Sequence, residues 1–359
     1  MSEVQNTLYG EGLMRKPERE SGLEILRVLS IFLITCVHML NYGLFLEHAG
    51  SKTELLLLRL LYSFFTVSVN VFVLISGYFL VRSKFRVTKL IKLWYSVVFY
   101  ALALYFISIT FFEDAFTVKD LIECFFPFLN NRYWFFTAYA LLYLISPLLN
   151  KIVHNTSKKE RIILVAGIFV ASYFSRRFSV DTIMGIAYGY NILWFSFLYL
   201  IAGILRVSQF EYKRKYACLT YLGCILLIWG NFYYTPDMLG YRVLVNTADY
   251  TSPFVLLASI AIFLLFKGVK FENKRVNKAV RLFSSTTFGV YLLQEARFFK
   301  PHLYFDILKI QRYYSRPTSV FYILIMAGVI FIVGMIFDLL RQLLFGCVQK
   351  TVAYYKNKK

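Results

Sequence analysis

One stretch, Glu24 to His38 (EILRVLSIFLITCVH), is apolar enough to cross a bilayer yet carries a carboxylate, a guanidinium and an imidazole. An ionised side chain near mid-bilayer costs about 3 kcal/mol or more, so such groups mark a site rather than a lipid-facing surface. Arg27 and His38 are three helical turns apart, so on a helix they lie within about 20° of one face and about 16 Å apart along the axis. Glu24 sits one turn before Arg27, and Thr35 and Asn41 flank His38 by one turn. The spacing predicts a helix that is polar along one face from end to end. That face must turn toward a bundle interior or a water-filled cavity.

The rest of the chain fits such a setting. Of its 359 residues, 58% are hydrophobic and 19% aromatic, too apolar for a soluble fold to cover. A net charge of +20 would suggest nucleic acid in a soluble protein. Here the basic residues fall in short connectors between apolar runs, where they set topology and meet anionic lipid, and no basic domain remains for nucleic acid. The five cysteines show no metal-ligand spacing and read as packing residues; no metal site is expected.

Apolar runs predict an all-α, polytopic transmembrane bundle of about ten spans in one domain, residues 23–345. A polar tail (1–22) precedes it and a basic tail (346–359) follows. Lys and Arg concentrate in the tails and alternate connectors, which places both termini in the cytoplasm. The expected location is the cell membrane.

Imidazole titrates near neutrality, so His38 can take a proton from a hydroxyl and return it; the competing reading is a histidine packed between helices. Arg27 can anchor to Glu24, meet a ligand phosphate, or do both. Lys89 and Lys92, one turn apart at the start of the third span, have the spacing of a phosphate clamp, though topology and lipid contact would explain them equally. In the second span, Asn70 is expected to face the bundle and Gly77 to admit a close helix approach. The connector after the ninth span interleaves Arg297, Arg312 and Arg316 with Phe298, Phe299, Tyr304, Tyr313 and Tyr314. It reads either as an interfacial aromatic belt or as a platform for a sugar or anionic glycan.

Leu26-Arg27-x10-His38, Val73-Leu-Ile-Ser-Gly-Tyr78, Tyr133-Trp-Phe-Phe136 leading to Ser146-Pro-Leu-Leu149, and Phe288-Gly-Val-Tyr-Leu-Leu293, in that order, resemble the acyltransferase-3 family of integral-membrane acyltransferases. The resemblance implies a ten-helix domain that uses cytosolic acetyl-CoA or a related acyl-CoA as donor substrate, with no permanently bound cofactor. It implies that His38 acts near the acyl transfer and that Arg27, with Lys89 and Lys92 in place of an Arg-x-x-Arg pair, contacts the donor. Lysine keeps the charge there but loses the bidentate fork. Gln294, followed by Glu295, stands where many members have a histidine; a Gln can hydrogen-bond but cannot shuttle a proton. The implied reaction moves an acetyl or similar group to a hydroxyl of a cell-envelope polysaccharide or lipid-linked glycan. The implied path runs from Arg27 up the polar face to His38. Two other roles fit the same pattern: a polysaccharide exporter, and a non-catalytic subunit of a glycan synthesis complex.

Overall fold

A computed structural model describes residues 20–128, 133–177, 189–208, 210, 212–234 and 248–356. Residues 1–19, which hold most of the expected polar tail with Arg15, Lys16 and Arg19, lie outside them. Among the described residues the fold is all-α, with no strand. The principal helices are α1 (Ser21–Asn41), α2 (Lys52–Phe65), α3 (Ser68–Leu80), α4 (Val87–Phe112), α5 (Val118–Phe125), α6 (Trp134–Asn155), α7 (Lys158–Arg177), α8 (Ile192–Val207), α9 (Arg214–Tyr234), α10 (Pro253–Phe266), α11 (Lys274–Glu295) and α12 (Ser319–Lys356). Short helical turns between Phe299 and Tyr313 join α11 to α12.

Five described helical stretches are long and apolar enough to cross a membrane: α1, α2 and α3 taken together, α4, α6, and α12 as far as Cys347. Helices α8 and α10 are equally apolar but shorter. The expected unbroken second span bends at Thr66, whose hydroxyl donates to Ala248 O at 2.7 Å. Between α4 and α6 the chain forms α5, capped by the Thr117 side chain, which accepts from Asp120 N. Helix α11 starts eight residues before the expected ninth span, so the basic run through Lys278 and Arg281 lies on the helix. The supposed basic tail from 346 is a continuation of α12 as far as Lys356.

Apolar contact alone does not drive one helix onto another within lipid, so close packing and internal hydrogen bonds hold such a bundle. Both are visible. Gly77 lies so close to α8 that a β-carbon would strike Tyr199 Cα. Asn70 is wholly buried; it accepts from Trp194 Nε1 at 3.0 Å and donates to Tyr250 O at 2.9 Å. Pro147 inside α6 cannot donate to Tyr143 O, and the Ser146 hydroxyl does so instead at 2.7 Å. Helix α1 lies at the centre, packed on α2, α3, α10, α11 and α12. Its partner α11 also packs on α4 and α12. The polar residues of α1 therefore face α11.

Candidate functional site

The α1–α11 seam carries two polar clusters. Near the start of α1, the Arg27 guanidinium lies 3.6 Å from Glu24 Oε2 and 3.5 Å from Ser284 Oγ on α11. The Ser284 hydroxyl donates to Glu24. Arg27 also stands 5.9 Å from the Phe79 ring centroid on α3, and remains 23% exposed. It is both anchored and open on one side.

Near the end of α1 the groups are more deeply enclosed. Gln294 is fully buried, and its amide nitrogen donates to Val290 O at 3.0 Å and to Thr35 Oγ1 at 2.9 Å. A backbone carbonyl can only accept, so this fixes the amide with its oxygen toward His38. His38 Nδ1 lies 3.0 Å from that oxygen and must carry a proton to bond it. The neutral imidazole therefore turns its Nε2 lone pair outward, where Glu295 Oε1 lies 3.3 Å away. Glu295 is 4% exposed; its Oε1 also accepts from the Tyr42 hydroxyl at 2.7 Å, and Lys300 Nζ lies 3.8 Å from its other oxygen. The same ammonium sits 4.0 Å from the centroid of the Tyr42 ring. One proton placed between Nε2 and Oε1 turns two facing acceptors into a hydrogen bond.

A cavity of about 20 Å3 lies against His38, lined on α1 by Ile31 and Ile34 and elsewhere by Phe72, Phe135, Phe288 and Tyr291 among others. The expected polar path does not line this cavity. Between Arg27 and His38 the face turned to the cavity is apolar, because Thr35 turns its hydroxyl to Ile31 O and Gln294. Arg27 does not line the cavity.

The structure thus joins His38, Gln294 and Glu295, and separately joins Arg27 with Glu24. Asn41 is exposed at the end of α1, outside both clusters, because the helix terminates there. Lys89 and Lys92 are exposed at the start of α4. Lys89 lies 5.8 Å from the Tyr143 ring centroid on α6, and the described contacts give it no partner in common with Arg27. In the connector after α11, Arg297 is 3.8 Å from Glu123, and Arg312 and Arg316 are exposed. The expected ring platform is corrected in part. Phe299 and Tyr304 are buried in the bundle, and Tyr313 stacks on Tyr322 of α12, so these rings fasten the connector instead of facing outward.

Tyr42 was not singled out from sequence, and Lys300 was counted only among the basic residues of the connector after the ninth span. Tyr42 follows His38 by one helical turn, a spacing that could have revealed it; Lys300 lies in a turn whose direction no spacing rule supplies. His302 in the same connector bridges Asp114 at 3.1 Å and Asp306 at 2.6 Å. Burial opposes its charge, but the two carboxylates prevail and raise its pKa above the ordinary imidazole value.

The helices long and apolar enough to cross a membrane point to a membrane protein, and the bundle encloses an imidazole–carboxylate pair. The acyltransferase-3 profile, described as an acyltransferase domain, matches residues 20–338. The chain belongs to that family, which implies acyltransferase activity. No curated protein and no solved structure matches it.

Proposed function

We propose that the protein is a multi-pass O-acyltransferase of the cell membrane. It moves an acetyl or similar short acyl group from cytoplasmic acyl-CoA to a hydroxyl of a cell-envelope polysaccharide or lipid-linked glycan. The observation that carries this reading is the His38–Glu295 pair, oriented by Gln294 and enclosed within an acyltransferase-family bundle. Read with α2 and α3 as one crossing and the short α5 left out, the helices would give ten crossings, and the distribution of Lys and Arg would then put both termini in the cytoplasm.

In this reading Arg27, Lys89 and Lys92 meet the phosphates of the donor, and the thioester reaches His38. The acceptor hydroxyl gives its proton to the His38–Glu295 pair as its oxygen attacks the thioester carbon. The carbon–sulfur bond then breaks, and the departing thiolate recovers that proton from the pair. Charge balances without a metal or a redox partner. Arg297, Arg312 and Arg316, at the end of the bundle where α11 finishes, would face an anionic acceptor.

Mass spectrometry of envelope glycan tests this in cells with the gene, without it, and with His38→Ala. Acyl groups should be lost in the second and third while the variant protein remains in the membrane. Retained acylation, or glycan that never carried the group, ends the assignment; the second result would also fit an exporter.

A further inference from the structure

The reaction proposed above leaves one participant unassigned: the oxygen of the thioester carbonyl, on which negative charge grows as the acceptor attacks. Tyr291 fits this role. It is 4% exposed and lines the same cavity as His38, one turn before Glu295 on α11. Its hydroxyl is buried and makes no hydrogen bond in the described structure. The Phe135 amide, in the first turn of α6, is a donor directed at the phenol oxygen, so the phenol's own proton is left without an acceptor. A buried donor left without an acceptor is costly, and native structures seldom carry one without a use. The ring itself is held firmly, with Phe135 at 5.4 Å and Phe288 at 6.1 Å between centroids. The cavity of about 20 Å3 has room for one water-sized or methyl-sized group and little more.

From this arrangement we infer that the cavity under His38 is the acyl pocket and that Tyr291 is a catalytic residue whose hydroxyl donates to the carbonyl oxygen of a short acyl thioester. The acyl methyl group enters the space bounded by Ile31, Ile34, Phe72 and Phe135. The acceptor oxygen bonds to the carbonyl carbon while its proton passes to the His38–Glu295 pair. The carbonyl electron pair moves onto the oxygen, where the phenol holds it. When that pair returns, the carbon–sulfur bond breaks and the thiolate leaves with the proton. A preorganised donor in a water-poor site acts mainly on the transition state, so its loss lowers kcat more than it raises KM.

This inference rests on the acyl-CoA reading, and the test separates the two. Purified full-length protein in proteoliposomes is assayed with labelled acetyl-CoA and its glycan acceptor, and thermal unfolding is followed in parallel. Tyr291→Phe keeps the ring and removes a hydroxyl that bonds to nothing at rest. The expected result is a fall in kcat of about 10²-fold or more, a nearly unchanged KM for acetyl-CoA, and a Tm equal to or above that of the wild type. Unchanged kcat would overturn the inference, as would a kcat loss matched by a lower Tm, because the hydroxyl would then be structural. A wild type that transfers no acetyl group from acetyl-CoA overturns the donor reading and this inference with it; an active wild type with an equally active Tyr291→Phe overturns only this inference.

Discussion

Two buried carboxylates, one on α11 and one packed against it, are held in different ways. Asp338 of α12 is 1% exposed and fits where α11 has Gly289, a position at which a β-carbon would collide with it. It accepts from Tyr100 at 3.1 Å, from Arg341 Nε at 2.7 Å and from Gln342 at 2.7 Å. Guanidinium, amide and phenol are donors only toward a carboxylate, and together they occupy both of its oxygens. Glu295 is almost as deeply buried, but it accepts from one phenol and faces an imidazole and an ammonium. The first arrangement ties α12 to α4; the second sets a carboxylate against an imidazole, the pair to which the proposed reaction gives its proton. Burial alone does not mark a reactive carboxylate. The kind of partner does.

The largest expected effects break this comparison apart. Asp338→Ala removes one partner of a buried pair and should cost about 3–5 kcal/mol, read as a lower Tm of the detergent-solubilised protein. Turnover per folded molecule should stay within about twofold. Glu295→Gln should behave in the opposite way: Tm nearly constant, acyl transfer down by about 10²-fold or more. If both substitutions act on the same observable, the distinction between the two carboxylates is lost.

A smaller effect sharpens the account at the other end of the seam. Arg27→Ala should raise KM for acyl-CoA about tenfold with little change in kcat, since the guanidinium stands apart from the His38 cavity. A fall in kcat at constant KM would place Arg27 in the chemistry.

The smallest effect lies in the connector. His302 has a raised pKa in the folded protein, so its pairing with Asp114 and Asp306 stabilises fully below the unfolded imidazole pKa. That contribution is lost as pH rises through the raised folded value. On going from about pH 6 to pH 8, the wild type should lose up to about 1 kcal/mol more stability than His302→Gln. Parallel Tm–pH curves for the two proteins would contradict it.

Much of this was legible in the sequence for a physical reason. Polar residues inside an apolar helix have few places to go, so Glu24, Arg27, Thr35 and His38 had to face another helix, as Asn70 does. The pairing Gln294–His38 joins residues 256 apart, and only the packing of α11 on α1 reveals it. The bend at Thr66 was hidden because apolar composition runs through it unbroken. The rings of the connector were ambiguous because Tyr304 and Tyr313 have the same composition whether they face solvent or fasten a loop.

The central claim is that His38 and Glu295 accept one proton as a single device. Rates of acetyl transfer by wild type, His38→Ala, Glu295→Gln and the double variant measure it directly. If the two groups act together, the double variant loses no more than the worse of the single ones. Losses that multiply would mean that the two act independently, and the account would be wrong.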